Sequence, residues 1–456
     1  MYCDLRNGAT KGATGEGTEP MLTDTSTSAG RAVLLHDRHP TLEELTATAH
    51  LLAARHPHLC RVRTLGTSRA GRPLLLLSIG HAADNVLVVT GAHADEFPGR
   101  SGLVELAHRV LARPDLREST AWHLLLCLDP DGAHLAEGGH HARTLPEYFA
   151  HYFRPAAEEQ PEWAPAIGGT LPESRILLDL IDELRPSLQF SLHGADIGGT
   201  FVQATRDPAA LADPLAKSAA DLGIPVETGS YDTFWLQARG PGVFLMEPHH
   251  LDRQESTTGM LAPDHRKDTG VLAGTWFAPR RHGGATVIVE TPAWTSDHLT
   301  DTRPADDART RLTACADQLR DRGRLLTELL DATPPHPDDT ALLRAARTPL
   351  AALRQLADEW DPRAGGQDLL RPGLMTRAKL AGIELWAHRI PVRTAALLRR
   401  ALDPADARPD RLLRDWCAQY QRRFQPVRLP VARQADHQAN TVQAAVELTR
   451  PPGRAA

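Results

Sequence analysis

The sequence Val86-Leu-Val-Val-Thr-Gly-Ala-His93-Ala-Asp-Glu96 joins an apolar run of strand length to two potential metal ligands. A histidine and a glutamate three residues apart, just past the end of a strand, can turn toward the same point from a short loop. In open α/β sheets the ligand crevice lies beyond the carboxyl ends of the strands. The pattern alone is weak evidence, because the chain contains 22 histidines and chance would supply such a pair.

Two further apolar runs of strand length end in residues that could complete this site. Leu188–Leu192 leads directly into His193, and Thr286–Val289 leads into Glu290. Two imidazoles and one carboxylate leave a fourth zinc position open for water, as in catalytic rather than structural zinc sites. A carboxylate at the end of a core strand needs a polar site to face, because burying it unpaired costs several kcal/mol. Beside the water of a zinc site, Glu290 would serve as the general base.

Strand-like runs alternate with helical patterns between about residues 41 and 303. The strand-like runs are Leu74–Ile79, Val86–Thr90, Trp122–Leu128, Leu188–Leu192, Phe201–Ala204 and Thr286–Glu290, and the helical stretches include Ser101–Ala112, Glu173–Leu184 and Pro208–Leu222. This alternation predicts an α/β fold with a mixed central β-sheet flanked by helices. The sheet is predicted to be mixed because its first two strands, joined by a short polar segment, could run antiparallel.

Strand signals stop after about residue 303, and four helical patterns follow, around 305–331, 339–359, 375–402 and 410–423. We therefore predict a disordered N-terminal tail at residues 1–30, a catalytic domain at residues 31–332 and an α-helical C-terminal extension at residues 333–456. The extension contains no internal repeat and no DNA-reading motif with a basic face. Its role and any protein partner are not evident from the sequence.

Composition excludes several classes of function. A net charge of −6 gives no electrostatic basis for binding nucleic acid or an anionic membrane. No run reaches the roughly 18 consecutive apolar residues of a membrane span. The five cysteines are scattered without CxxC spacing, which argues against a cysteine zinc site. Residues 1–30 lack the apolar segment of a secretory signal, so we expect a cytoplasmic protein.

In its motifs and in their order, the sequence resembles the zinc metallocarboxypeptidases of the funnelin type over roughly residues 40 to 300. The matching segments are Leu65–Leu74, His93-Ala-Asp-Glu96, Asp129-Pro-Asp-Gly132, Pro172-Glu-Ser174, Ser191-Leu-His193 and Glu290. Leu65–Leu74 resembles the family's strand-turn entry, and Asp129-Pro-Asp-Gly132 is similar to its Asn-Pro-Asp-Gly segment. The resemblance implies a zinc carboxypeptidase-like domain that binds one Zn²⁺ per chain through His93, Glu96 and His193. It also implies that Glu290 is the general base for peptide-bond hydrolysis.

The resemblance further implies two arginine roles. Arg143 lies near the family's distance after Asp-Pro-Asp-Gly and is the candidate for stabilising the oxyanion. A surface arginine is the alternative, because lysine occurs at only 4 of the 51 lysine and arginine positions. Phe153-Arg154 is the nearest equivalent of the family's Asn-Arg clamp for the substrate carboxylate, but it lacks the amide. The family's mobile tyrosine has no clear match, since Tyr231, the only tyrosine between His193 and Glu290, lies early in that segment.

These observations favour a zinc-dependent metallocarboxypeptidase that removes the C-terminal residue of a peptide or small peptidic substrate. Because the carboxylate clamp departs from the family pattern, an amidohydrolase or deacylase on the same fold is the first alternative. A non-enzymatic zinc-binding relative, in which the helical extension recruits a partner, is the second. The retention of all three ligand candidates and of Glu290 argues against the second alternative.

Overall fold

The computed structural model describes residues 38–248, 270–332 and 340–449. The tail predicted to be disordered, residues 1–30, lies outside the described residues. The described residues form ten β-strands in one sheet. These are β1 (Cys60–Thr67), β2 (Pro73–Ile79), β3 (Asp84–Thr90), β4 (Thr120–Leu125), β5 (Leu188–Gly198), β6 (Phe201–Ala204), β7 (Gln237–Gly240), β8 (Val243–Leu245), β9 (Ala285–Thr295) and β10 (Val427–Arg428).

The strands lie in the order β1-β2-β4-β3-β5-β9-β6-β8-β7, and β10 pairs with the end of β9. The prediction of a mixed sheet is confirmed: β3, β5 and β9 are parallel neighbours, whereas β1, β2 and β4 pair antiparallel. The first two predicted strands, now β2 and β3, are not paired with each other. Strand β4 lies between them, antiparallel to β2 and parallel to β3. The helix Pro98–Ala112 connects β3 to β4, and a crossover of this kind leaves the two strands parallel.

Eleven α-helices are present in the described parts of the chain. They are α1 (Leu42–Arg55), α2 (Pro98–Ala112), α3 (Pro130–Ala136), α4 (Leu145–Ala150), α5 (Pro172–Leu184), α6 (Ala212–Leu222), α7 (Ala308–Ala332), α8 (Thr340–Trp360), α9 (Arg377–Ala401), α10 (Arg408–Phe424) and α11 (Val431–Thr449). None of them combines the length and the apolar character that crossing a membrane requires.

Helices cover both faces of the sheet. Alternate residues of β3 point to opposite faces, so Val86 and Val88 pack with α2 and α11, while Leu87 and Val89 pack with α5. Burial on both faces explains why the central strands are continuous apolar runs rather than alternating ones. The polar residues that follow these strands are therefore displaced to the carboxyl edge of the sheet.

The C-terminal helices α7, α8 and α10 pack around α9, and most residues of α9 are buried. The chain then returns to the sheet through β10 and α11, and the Gln438 amide on α11 donates to the backbone carbonyl of His193 over 2.9 Å. Sequence reasoning did not predict α11, β1, β7 or β8. The division into domains at residue 332 stays a prediction, but residues beyond it contact the central sheet directly.

Candidate metal centre

Three adjacent parallel strands position the predicted site. His93 and Glu96 lie in the loop between β3 and α2, His193 lies on β5 and Glu290 lies on β9. In the pairing of β5 with β9, His193 and Glu290 are register partners. Neighbouring strands are about 4.8 Å apart. The sheet therefore brings all four predicted residues to one edge, although almost 200 residues separate the first from the last.

The ligand candidates converge through their Nδ1 atoms and one carboxylate. The Nδ1 atoms of His93 and His193 are 3.2 Å apart, and each lies 2.8 Å from an oxygen of Glu96. Two nitrogens bound to one tetrahedral zinc at 2.0–2.1 Å would be about 3.3 Å apart. One potential ligand atom from each of the three residues lies within 4.8 Å of the others.

Neighbouring side chains fix which nitrogen of each histidine faces the centre. The Nε2 atom of His193 lies 3.0 Å from Glu162 and 2.9 Å from Ser191, whose hydroxyl donates to Glu162 over 2.6 Å. Since a carboxylate only accepts hydrogen bonds, Nε2 carries a proton, so in the neutral imidazole Nδ1 presents its lone pair to the centre. The Nε2 atom of His93 faces the amide oxygen of Gln160 at 3.2 Å, with the same consequence.

Two imidazole lone pairs and a carboxylate thus face one another, and such a group of acceptors needs a positive ion between them. A second proton on a histidine can supply this charge: burial lowers the pKa of His193, but Glu96 and Glu162 outweigh it and raise that pKa well above its ordinary value. A divalent metal ion supplies the charge without protonation. The donor set and its spacing therefore fit a metal ion, and a carboxylate behind a ligating histidine is common in zinc sites.

Comparison with known proteins agrees with this geometry. Residues 45–145, which contain His93 and Glu96, match the zinc carboxypeptidase family. The chain resembles zinc carboxypeptidases. No curated protein sequence matches the chain significantly.

Two solved structures that are similar to the chain are a metallo-carboxypeptidase from Burkholderia cenocepacia and carboxypeptidase A from Helicoverpa armigera. Each shares 16% sequence identity, with TM-scores of 0.36 and 0.38. The alignments cover 57% and 56% of this chain, and 61% and 65% of the respective structures. The chain thus spans less than two thirds of either structure, and at these TM-scores neither structure informs its function.

Glu290, the base predicted by the resemblance to zinc carboxypeptidases, lines the same cavity as the three ligand candidates. Burial and the nearby Glu96 carboxylate raise the pKa of Glu290 to about 8. A bound divalent cation would oppose this shift by attracting the ionised form. Burial beside a second carboxylate therefore keeps the pKa of Glu290 above its ordinary value, which suits a group that takes up and returns a proton.

The two predicted arginines occupy different environments. Arg154 lines the cavity and donates to Asp95 over 2.9 Å and also to Glu96, so it contacts a ligand candidate directly. Arg143 is exposed, and its backbone N–H donates to Glu147 at the start of α4 over 2.8 Å. The structure does not bring Arg143 to the cavity, so the oxyanion role predicted for it has no geometric support.

The cavity at the centre, here called the metal cavity, has a volume of about 150 Å³. Besides the residues already named, it is lined by Trp386, Arg389 and Arg393, all of which lie on α9. Sequence reasoning missed these three residues and also Gln160 and Glu162. A helical pattern with arginines is common on protein surfaces, and nothing in the sequence of α9 indicates that this helix docks beside the sheet.

Proposed function

We propose that the protein is a zinc-dependent hydrolase that cleaves the C-terminal peptide bond of a peptide or small peptidic substrate. The observation that carries this proposal is the position of Glu290 as register partner of His193, in one cavity with both histidines and Glu96. A His₂Glu ligand set with a carboxylate beside it suits metal-assisted hydrolysis. The match of residues 45–145 to the zinc carboxypeptidase family supports the same class of reaction.

Each residue has a definite task in this reaction. When bound by His93, Glu96 and His193, zinc would supply Lewis-acid activation of water and of the scissile carbonyl. Glu290 would accept a proton from the attacking water and then deliver it to the leaving amine. Glu162 would hold His193 in the tautomer whose Nδ1 faces the centre. Trp276 steadies Glu162, because its indole N–H donates to that carboxylate over 2.8 Å.

Arg154 is the residue that we assign to oxyanion stabilisation, in place of Arg143. Its guanidinium lies against the carboxylate of Glu96, so it is close enough to meet negative charge that develops beside that ligand. Asp95 fixes the other edge of the guanidinium through two hydrogen bonds of 2.9 and 3.2 Å. A donor held in place before the reaction costs no reorganisation when the charge develops.

The first test concerns the metal and the base. Purified wild-type protein should contain about one zinc ion per chain, measured by inductively coupled plasma mass spectrometry, and a His93→Ala, Glu96→Ala double variant should contain almost none. Glu290→Gln should retain zinc but lose about 10²- to 10⁴-fold in kcat, the usual contribution of a positioned general base. Wild-type protein that stayed metal-free in the presence of zinc would refute the proposal.

The second test concerns the substrate. Zinc-loaded protein is incubated with a mixed peptide library, and mass spectrometry records the masses that are lost. Loss of single C-terminal residues supports the carboxypeptidase reaction. Loss of acyl groups, or equal cleavage of free and C-amidated peptides, would instead identify the amidohydrolase or deacylase alternative.

A further inference from the structure

Helix α11 is hydrogen-bonded to the backbone of two residues of the candidate site. Its consecutive residues His437 and Gln438 are both fully buried. The Gln438 amide N–H donates to the backbone carbonyl of His193 over 2.9 Å. His437 acts through Thr200, whose hydroxyl donates to the backbone carbonyl of Glu290 over 2.8 Å. Two neighbouring side chains of one helix therefore hold the backbone of a ligand candidate and that of the candidate base.

The hydrogen bonds around His437 assign both of its ring nitrogens. Nε2 lies 2.7 Å from the Thr200 hydroxyl, whose only proton goes to the Glu290 carbonyl, so Nε2 is the donor. Nδ1 lies 2.9 Å from the Ser218 hydroxyl, whose oxygen accepts from the Asn440 amide over 2.9 Å. Burial lowers the pKa of His437 to about 4, so the ring is neutral and its Nδ1 accepts from Ser218. The bonds form one directed chain from Asn440 to Glu290.

Packing alone does not account for Gln438. Its amide oxygen is buried without a hydrogen-bond partner among the described residues, and such an atom destabilises the folded state. That oxygen lies against Gly102 of α2, where a Cβ atom would come within 2.2 Å of it. A Gln438→Leu variant would fill the same space without an unpaired polar atom. What the amide adds is the N–H that the His193 carbonyl accepts.

Both carbonyls lie where ladders of the sheet end. The β3–β5 ladder ends at the pair of Thr90 and Leu192, one residue before His193. The β6–β9 ladder ends at the pair of Phe201 and Glu290. Beyond these pairs β3 no longer supports β5, and β6 no longer supports β9. The hydrogen bonds from α11 therefore extend the support of the backbone to the two residues whose side chains face the metal cavity.

We propose that α11 is a positioning element of the centre: Gln438 fixes the position of His193, and His437, through Thr200, fixes that of Glu290. Neither His437 nor Gln438 lines the metal cavity, so both act through the backbone of other residues. The kinetic effects of this inference rest on the proposed hydrolase function, whereas the support of the two strand ends does not. Reaction rates respond strongly to such support, since misplacing a catalytic group by about 1 Å can cost about 10²-fold.

Hydrogen–deuterium exchange on metal-free protein tests the support without turnover. His437→Leu should speed exchange by about 5- to 10-fold in peptides that contain Glu290, because local opening becomes easier when a hydrogen bond is lost. Gln438→Leu should do the same in peptides that contain His193. Peptides from β1 (Cys60–Thr67), at the far edge of the sheet, should exchange as in wild type and serve as the internal reference.

Conservative variants separate positioning of the base from packing. His437→Leu should lower kcat by about 10-fold, with KM and zinc content within about twofold of wild type. His437→Gln places an amide N–H near the position of Nε2 and should recover most of this loss. Thr200→Val should match His437→Leu, because it removes the hydroxyl that reaches the Glu290 carbonyl. Thr200→Ser keeps the hydroxyl and should resemble wild type.

Zinc affinity reports on the other contact. Gln438→Leu should weaken zinc binding by about 10-fold in competition with a fluorescent chelator, because the backbone of His193 loses its hydrogen bond from α11. Asp436→Asn is the matched control on the same helix. Asp436 is partly exposed and pairs with Arg109 of α2 rather than with the sheet, so zinc affinity and kcat should stay within about twofold of wild type.

The outcomes separate this inference from the proposed function. Unchanged exchange at both strand ends in folded variants would overturn it. Faster exchange that includes β1, with no recovery in His437→Gln, would reduce α11 to a general contribution to stability and would also refute the positioning role. If wild-type protein cleaves no peptide, the proposed function fails, while selective exchange at the two strand ends would still support the positioning of His193 and Glu290.

Discussion

Two groups of residues that line the metal cavity differ in how the fold assembles them. The strand-end group, His93, Glu96, His193 and Glu290, lies on or just after parallel neighbouring strands, where the sheet register fixes every position. The helical group, Trp386, Arg389 and Arg393, lies within two turns of one helix that docks beside the sheet. The comparison indicates that sheet register alone brings the strand-end group together, whereas the position of the helical group depends on how α9 docks.

Asp196 connects the two groups. It lies on β5, three residues after His193, and is fully buried. Burial raises its pKa, but Arg389 and Arg393 outweigh that effect and hold the pKa below its ordinary value. Arg389 also donates to the backbone carbonyl of Ile197 over 2.7 Å. The strand that carries a metal-ligand candidate therefore also anchors α9, whose side chains line the metal cavity.

A large effect on kcat is expected from Arg154, which lines the metal cavity and contacts the ligand candidate Glu96. If it stabilises the oxyanion, Arg154→Ala should reduce kcat by about 10²- to 10³-fold with little change in zinc content. Arg143→Ala, the matched control, should stay within about twofold of wild type, because Arg143 is exposed and lies outside the cavity lining. Steady-state kinetics and metal analysis on the same preparations measure both.

An effect of Arg154→Ala on KM instead of kcat would change the role assigned to Arg154. If Arg154→Ala raised KM and left kcat unchanged, Arg154 would serve substrate binding, as the resemblance to the carboxylate clamp predicts. Arg154→Lys is the control for a folding defect in Arg154→Ala, because it keeps a positive charge beside Asp95 and Glu96. Recovery of kcat in that variant would assign the effect to charge.

A smaller effect is expected from Glu162, which stands behind the strand-end group. Replacing it by glutamine removes the negative charge that orients His193 and favours its Nε2–H tautomer. Loss of such a supporting carboxylate typically weakens metal binding 10- to 100-fold. Competition with a fluorescent zinc chelator should show this loss for Glu162→Gln. The exposed neighbour Glu158 provides the control, and an unchanged zinc affinity in Glu162→Gln would show that the strand-end group needs no support of this kind.

The sequence predicted the strand-end group because each member follows a recognisable apolar run, and strand ends of a parallel sheet meet at one edge. It could not predict Arg393 or Trp386, because their relation to the site depends on tertiary docking of a helix nearly 100 residues beyond Glu290. Gln160 and Glu162 lie in a Pro-rich segment without periodicity, so no pattern marks them. Arg143 was predicted from its spacing after Asp129-Pro-Asp-Gly132, and spacing alone does not determine whether a side chain faces the cavity.

The smallest effect concerns Asp129, which follows a strand of the same sheet but does not line the metal cavity. It caps α3, since one carboxylate oxygen accepts from the Gly132 N–H over 2.9 Å, while the other is buried without a hydrogen-bond partner among the described residues. Burial raises the pKa of Asp129 to about 7. A carboxyl whose pKa is raised on folding stabilises the protein below its ordinary pKa and loses that contribution as the pH rises toward 7.

Asp129→Asn should therefore gain stability relative to wild type by about 2 kcal/mol between pH 5 and pH 8, since each pKa unit corresponds to about 1.4 kcal/mol. Urea denaturation at a series of pH values measures the difference. Asp131→Asn is the control. Burial raises the pKa of Asp131, but hydrogen bonds from Ser68, Ala70 and Arg72 outweigh burial and lower it. The difference in unfolding free energy between Asp131→Asn and wild type should therefore not vary with pH in this range. Full zinc binding by Asp129→Asn would show that this strand-end carboxylate does not contribute to zinc binding. Loss of zinc would instead add Asp129 to the strand-end group.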